Sequence, residues 1–571
     1  MKPRLIIALL AAVFFIPFLG NAHLFDWDEI NFAELSREMV ILGDYLNVHI
    51  NYQPFWEKPP LFFWLQSASM RIFGMNEFAA RFPNAICGII TLVLIFDIGK
   101  KLFNTRFAWT WTLAYFGSVL PFLYFKSGII DPFFNLFIFL GLYYFILGYW
   151  KTNDKRNTHL KLPKSLWTYF FFGGIFIGLG ILTKGPVAYL IALLTFFVYW
   201  IFQKFRLYVS IPQFLWFSIS ATFVMLTWFG LEIWQNGFWF VEEFIVYQIR
   251  LFSTPDAGHG GFPGYHFVVL LVGCFPMSIF AMRAFFKMEK PQKTHQADFI
   301  KWMKILFWVV LILFTIVKSK IVHYSSMAYF PLTFLAAYVI DNLLENKITF
   351  NRWMRFGVLF LGGLFILAIF AAPFIGQNLE ILKPLLEKDP FAAANLEADI
   401  FWSGWEVIPS LFLLTILVLF FYFYKNNRWR SFQILSVGMG IFCMLTLIFF
   451  INRIEGISQN AAITFYESKA TENALIYTYG FKSYAHLFYG KKANTYQSIE
   501  NKHIETNQIS PLARVNNPQV LKDFPEVVPI YIVCKIQKSK DLEALKWLEK
   551  IESKNGFVFF KRKSGTSQMR Y

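Results

Sequence analysis

Up to residue 451 the chain alternates between long apolar stretches and short polar ones. A helix needs about 17 to 25 apolar residues to cross the hydrocarbon core of a bilayer. Thirteen stretches meet that pattern and predict thirteen spanning helices, near 5–21, 82–100, 107–125, 130–149, 166–183, 186–202, 209–231, 264–286, 303–317, 325–343, 354–375, 408–424 and 431–451. After 451 the pattern changes. Alternating positions predict strands at Asn473–Gly480, Val527–Ile536 and Gly556–Lys563, and the spacing of Leu542, Leu545, Trp547 and Leu548 predicts a helix over Lys540–Lys554. The chain therefore reads as mainly α, a polytopic membrane domain over 1–451 followed by a small α/β domain over 452–571. That second part, about 120 residues, is long enough to fold alone.

Composition agrees with this and sharpens it. Hydrophobic residues make up 56% of the chain, 72 of them Phe, which excludes a soluble multidomain protein. The net charge of +17 would suggest nucleic acid if it were clustered on one surface. Instead it is shared among alternate loops: Lys100, Lys101 and Arg106; Lys151 to Lys164; Lys204 and Arg206; Arg283 to Lys304; Lys347 to Arg355; Lys425 to Arg430. The other loops are acidic or mixed. This is the positive-inside pattern, so the basic balance reports topology and anionic lipid rather than DNA or RNA. It predicts a cytoplasmic N-terminus and, after thirteen spans, an external C-terminal domain. The first apolar run follows Lys2 and Arg4 and lacks a small-residue cleavage site, as expected of a retained helix. Three of the four cysteines, Cys87, Cys274 and Cys443, fall inside spans and Cys534 in a strand, as buried thiols do.

Charge on the outward side is where chemistry is expected. The loop 22–81 carries eight carboxylates, seven of them before residue 60: Asp26, Asp28, Glu29, Glu34, Glu38, Asp44 and Glu57. Carboxylates this dense at a bilayer boundary are costly to desolvate and mark a site. Glu34 and Glu38 read as solvated acids of an amphipathic helix; Asp28, Glu57 and Lys58 read as functional, with Pro59-Pro60 holding the backbone extended and fixing where Glu57 and Lys58 point. In the same loop Leu61–Gly74 is apolar but too short to span, and predicts a helix lying in the interface. Asp131-Pro132 opens a span, so Asp131 serves as a cap, a catalytic acid or both. Thr183-Lys184-Gly185-Pro186 is a tight break that adds a cation. The loop 232–263 holds Arg250 and His259, with His266 just beyond, and its Gly and Pro content predicts a segment that orders on binding. Lys318 to Tyr324, with Lys320 and His323, reads as an anion-binding edge, the alternative being snorkelling at the headgroups. The acidic loop 376–407 carries no assigned chemistry.

In this order, Asp28-Glu29 with Arg37-Glu38, Glu57-Lys58-Pro59-Pro60, Asn76 to Pro83, Asp131-Pro132, Thr183 to Pro186 and Ser319-Lys320 with His323-Tyr324 resemble the ArnT-like branch of the GT-C membrane glycosyltransferases, relatives of the protein O-mannosyltransferases. The resemblance covers about the first 340 residues. It implies transfer of a sugar from a polyprenyl-phosphate donor at the outer face of a bacterial inner membrane, with inversion, onto a lipid A-type, glycan or protein acceptor. It implies no nucleotide cofactor, no nucleic-acid partner and a monomer. By resemblance Asp28 and Asp131 are the acidic pair, Glu57 joins them, and Lys58 meets the donor phosphate. Lys184, Arg250, Lys320 and Tyr324 complete an anion clamp, and Glu29 and His323 face substrate. Two departures stand out. The family pattern Asp-Glu-x-Arg-Tyr reads Asp28-Glu29-Ile30-Asn31-Phe32 here, and its Glu-His pair reads Glu242-Glu243. One divalent ion, on Glu57 with His259 or His266, is the only metal expected.

The chemistry stands without the family. A lipid-phosphate leaving group gathers negative charge as its glycosidic bond breaks, so fixed cations there favour the transition state. A carboxylate such as Asp28 serves as general base for a hydroxyl acceptor or balances an oxocarbenium-like sugar. A transporter would place its charges near the midplane within repeated halves; these gather on one side and the halves do not repeat.

Overall fold

In the computed structural model of the chain, residues 2–153, 160, 162–254, 260–289, 291–472, 474–493, 518–523 and 528–564 are described. The first long connection follows α1 (Pro3–Phe15) and contains α2 (Asp28–Leu42), the short strands β1 (His49–Ile50) and β2 (Gln53–Pro54), and α3 (Leu61–Phe73). The helical body continues with α4 (Glu77–Leu102), α5 (Thr105–Phe116), α6 (Val119–Tyr124), α7 (Asp131–Thr152), α8 (Leu166–Lys184), α9 (Val187–Phe202), α10 (Ile211–Asn236) and α11 (Trp239–Ser253). Then come α12 (Tyr265–Gly273), α13 (Met277–Arg283), α14 (Thr294–Ile316), α15 (Tyr329–Leu344), α16 (Arg352–Gln377), α17 (Pro390–Asn395), α18 (Ile408–Asn426), α19 (Arg428–Ser458) and α20 (Asn460–Ser468). The last part holds β3 (Leu475–Tyr479), α21 (Ala485–Phe488), β4 (Ile530–Lys535), α22 (Ser539–Glu543), β5 (Leu548–Lys554) and β6 (Phe557–Arg562).

Among the described residues nine helices are long and apolar enough to cross a membrane, and ten if α12 and α13, bent by 114° at their break, form one span. Of the other three predicted spans, two are the shorter apolar helices α1 and α9, and the third is broken at Gly117 into α5 and α6. Polar caps set where many helices begin. Asn76, Asn104, Ser165 and Asn427 each accept from a backbone amide three residues on, and Ser210 with Gln213 forms a reciprocal capping box before α10. The basic turns close one end of the body. There Arg106 pairs with Asp341 (2.7 Å) and with Glu345, and Arg428 donates to the Leu343 carbonyl (2.8 Å). The carboxylate-rich turns lie together at the other end, as the site below describes.

The last part of the chain is a four-stranded sheet in the order β3-β4-β6-β5, parallel between β3 and β4 and antiparallel elsewhere. Its central strand β4 is buried on both faces. Ile530, Ile532 and Cys534 meet Leu542, Trp547 and Phe560 on one side. Tyr531 and Val533 on the other join a core shared with Leu24, Ile30 and Ala33 of the first long connection and with Ile463 and Tyr466 of α20. The sheet therefore does not own its second core; it completes it against the loop that holds Asp28. The helix expected over Lys540–Lys554 is only α22 followed by β5. Asn555 and Gly556, both at positive φ, turn β5 into β6 as a tight hairpin, and the pairing that this turn permits overrides the helical spacing.

Candidate active site

The acidic helix α2 is the frame of the site. It ends at Gly43, whose φ of 68° is the left-handed conformation that favours glycine. Glu34 and Glu38 are fully buried, contrary to the solvated role expected of them. Arg37 donates to both carboxylate oxygens of Glu34 (2.7 and 2.6 Å) and to the carbonyl of Lys492 (3.1 Å). Glu38 accepts from the Tyr52 amide (2.8 Å), and burial beside the Glu34 charge raises its carboxyl well above the usual range. Tyr52 donates to the same Lys492 carbonyl (2.7 Å). The residues just ahead of Asp28 are held as firmly. Tyr489 accepts from the Leu24 amide (2.7 Å), while Gln459 donates to the Leu24 carbonyl (2.7 Å) and accepts from the Asp26 amide (3.2 Å).

Glu29 is a strut. Arg81 donates to it through Nε (3.0 Å) and Nη2 (2.8 Å), and the amides of Phe25 (3.0 Å) and Gly128 (2.6 Å) add two more bonds. Burial alone would raise its carboxyl, yet Arg81 and those amides hold it below the usual range. Arg81 also donates to the carbonyls of Leu19, Ala22 and His23. The substrate-facing role expected of Glu29 is thus corrected: its oxygens are committed to fixing the start of α2 against α4.

Asp28 at the first position of α2 is the more open member of the acidic pair, its side chain 34% exposed, and its Oδ2 lies 3.4 Å from His323 Nε2. Asp131 is 1% exposed at the start of α7. Its Oδ1 accepts from Lys184 (2.7 Å) and from Ser326 (3.4 Å), while among the described residues its buried Oδ2 has no hydrogen-bond partner. The cap is not its role here; the carboxylate turns to Lys184 instead. Lys184 also stands 5.2 Å from the centre of the Tyr324 ring, which packs on His323 (5.3 Å). Asp28, Asp131, Lys184, His323 and Tyr324 thus meet from four separate turns. Lys58 belongs to the same electrostatic neighbourhood, since its charge acts on His323.

Lys58 does not sit on an extended Pro-Pro rod. Pro60 adopts helical angles and leads into α3, which anchors the segment from below. Lys58 Nζ donates to the Tyr247 hydroxyl (3.3 Å) and stands 4.7 Å from that ring's centre; the Arg250 guanidinium stands 5.0 Å from it. Trp56 packs edge-on against Trp239 (5.9 Å), a second tie between this segment and α11. Helix α11 in turn presses Phe244 onto Gly185, where φ is 100° and a Cβ would come within 2.8 Å of the ring. Glu57 is half-buried, and its charge reaches Tyr484 in the last part of the chain.

The role expected of Lys320 is corrected. Lys320 is buried and its ammonium donates to the carbonyls of Phe314 (3.0 Å), Thr315 (2.7 Å) and Val317. An ammonium has three protons, and these bonds account for all of them. Lys320 caps the negative end of α14, and the charge expected on a donor phosphate is used there. The metal expectation, Glu57 with His259 or His266, concerns the same outward turns. His259 lies outside the described residues, and no three His, Cys, Asp or Glu side chains among the described ones could hold an ion together. His266 is fully buried, and among the described residues neither ring nitrogen has a hydrogen-bond partner. Glu57 and His266 are thus not part of a three-ligand cluster among the described residues, and no step is routed through a metal. Sequence reasoning gave no role to Arg81 or Tyr247. The signal for Tyr247 was the face it shares with Phe240, Phe244 and Arg250 on α11.

Comparisons with known proteins agree with this architecture. The family described as dolichyl-phosphate-mannose-protein mannosyltransferase matches residues 57–228. An undecaprenyl phosphate-alpha-4-amino-4-deoxy-L-arabinose arabinosyl transferase of Photorhabdus laumondii is 27% identical over 65% of this chain and 66% of its own length. A protein of the same description from Pectobacterium carotovorum is 25% identical over 72% of this chain and 71% of its own. The fold superposes on the crystal structure of ArnT from Cupriavidus metallidurans bound to undecaprenyl phosphate with a TM-score of 0.77, at 17% identity, covering 99% of both chains. Fold and sequence likeness together support a polytopic membrane glycosyltransferase of the GT-C class. Within that class the chain is similar to the ArnT-like enzymes.

Proposed function

We propose that the chain transfers a sugar from an undecaprenyl-phosphate donor to a lipid A-type glycolipid at the outer face of a bacterial inner membrane, with inversion. One observation carries the reading: Lys58 and Arg250, from distant segments, converge on Tyr247 in the electrostatic neighbourhood of Asp28, Asp131 and His323. The relatives' names give undecaprenyl phosphate as carrier and 4-amino-4-deoxy-L-arabinose as sugar for those proteins, which makes that donor the first to test. The fold likeness to a chain bound to undecaprenyl phosphate supports the same carrier. The external orientation follows from the Lys and Arg asymmetry of the loops.

In this reading the bond between the anomeric carbon and the phosphate oxygen breaks, and the oxygen keeps the electron pair. Lys58 and Arg250 stabilise the charge that develops there, more in the transition state than before it. The acceptor oxygen bonds to the opposite face of the sugar. A hydroxyl acceptor gives its proton to Asp28, which His323 orients; a phosphate acceptor has no proton to give, and Asp28 then balances the oxocarbenium-like sugar. Asp131, held by Lys184, offers its unpartnered Oδ2 to a sugar hydroxyl.

A second reading, an exported protein as acceptor, is favoured by the family description matched at 57–228. A labelled undecaprenyl-phosphate aminosugar, given to purified enzyme with lipid A in one arm and an unfolded exported protein in another, separates the two. Label in the lipid fraction with an inverted anomeric configuration supports the proposal; label only in protein overturns its acceptor.

A further inference from the structure

Resting on the donor-clamp reading above, we propose that Tyr247 is the positioning residue of the clamp: it holds Lys58 and Arg250 together in the absence of donor and sets the spacing that a lipid phosphate fills.

Two cations that must meet one phosphate repel each other until it arrives. A neutral group with concentrated negative potential lowers that repulsion, and an aromatic face does so. Tyr247 supplies two such features. Its ring lies within 4.7 Å of the Lys58 ammonium and 5.0 Å of the Arg250 guanidinium, and its hydroxyl oxygen accepts from Lys58 at 3.3 Å. The ring itself is fixed, being only 9% exposed. Phe244, one turn before it, is locked between Phe229 (5.4 Å between ring centres) and Gly185. Arg250 lies one turn after it on the same face, so the helix alone places that cation near the ring. Lys58 arrives from the other side, on a segment tied to α11 through Trp56 and Trp239. Tyr247 is thus where the first outer loop and α11 are brought to one distance. It acts through its neighbours and reaches no reacting atom.

The test compares Tyr247→Phe and Tyr247→Leu with Lys58→Ala and Arg250→Ala in the full-length, detergent-solubilised protein. Binding of undecaprenyl phosphate is measured at equilibrium, and kcat and donor KM are measured separately. Tyr247→Phe keeps the ring and should bind within about threefold of wild type, whereas Tyr247→Leu should weaken binding about tenfold, the size expected for a cation–π bracket in a partly desolvated site. The donor KM of Tyr247→Leu should rise and its kcat at saturation should fall, by less than in Lys58→Ala, because the displaced cations also serve the transition state; an acceptor KM equal to wild type separates positioning from general misfolding. Adding Tyr247→Leu to Lys58→Ala/Arg250→Ala should weaken binding no further, because the cations it positions are gone. Wild-type affinity of Tyr247→Leu, with both alanine variants weakened, overturns the role of Tyr247 alone. Wild-type affinity of both alanine variants overturns the clamp on which it rests. A Tyr247→Phe variant as weak as Tyr247→Leu would show that the hydroxyl, and not the ring, holds the clamp, and would overturn the bracket.

Discussion

Replacing Lys320 by Met separates a strut from a clamp. The Met side chain matches the length of the stem that packs beneath Gly261, where a Cβ would lie 3.0 Å from Lys320 Cγ, and it removes the charge and all three donors. A cation at the end of a helix in a partly buried site contributes up to about 2 kcal/mol. The carbonyls of Phe314, Thr315 and Val317, left without their shared donor, cost about 1–2 kcal/mol more. The expected loss is therefore about 3 kcal/mol of stability, concentrated at the end of α14. Thermal unfolding of the detergent-solubilised protein should show a lower midpoint, and undecaprenyl phosphate should still bind the folded fraction with wild-type affinity. The opposite result, an unchanged midpoint with binding lost, would refute the capping assignment and return Lys320 to the phosphate.

The remaining predictions concern the outer frame and the topology. Glu29→Gln should cost about 3–5 kcal/mol at neutral pH, because it leaves Arg81 buried without its counter-charge. The folded pKa of Glu29 is depressed, so its stabilisation is present above the unfolded value near 4.3 and fades as pH falls through the lower folded value; chemical denaturation of the two proteins should converge only in that acid range. Glu38 has the opposite sign: its raised folded pKa means stability is full below about pH 4.3 and is lost as pH rises through the folded value, so Glu38→Gln should flatten that alkaline loss in the same denaturation series. Single cysteines introduced at Arg206 and Lys546 should label from opposite sides of sealed vesicles, with little background from the four native cysteines, all of which are buried; labelling from one side would contradict the proposed orientation.

How much of this was legible beforehand varied with the physics involved. Apolar stretches are set by the thickness of the bilayer, so every predicted span contains helix, and the departures are the short α1 and α9 and the broken pairs α5/α6 and α12/α13. The positions of Asp28, Asp131, Lys184, His323 and Tyr324 could be read as an outward set because alternation of loops assigns them to one end. What each charge touches could not be read. Lys320 and Lys58 look alike in a polar turn, yet one meets helix carbonyls and the other an aromatic ring, a difference made by chain segments far away in sequence. Glu34 and Glu38 were misread for the same reason: Arg37 was visible beside them, but the cover provided by Tyr52 and the Lys492 carbonyl was not. The last part of the chain shows a third kind of failure. Its length suggested independence, but Tyr531, Val533 and Tyr466 share their core with Leu24 and Ile30, and residue counts do not report a shared core.

The central claim is that binding and transfer are divided between Lys58 and Asp28, and donor binding and turnover measured on the same samples test it most directly. With a radiolabelled undecaprenyl-phosphate aminosugar, Asp28→Asn should bind donor as wild type does and fail to turn over. Lys58→Ala should lose on the order of 3 kcal/mol of transition-state stabilisation, about a hundredfold in rate, with donor binding weakened alongside, and Lys58→Arg should restore only part of it. Transfer by Lys58→Ala at the wild-type rate would contradict the clamp, and an Asp28→Asn enzyme that binds donor poorly yet turns over at saturation would reverse the two roles.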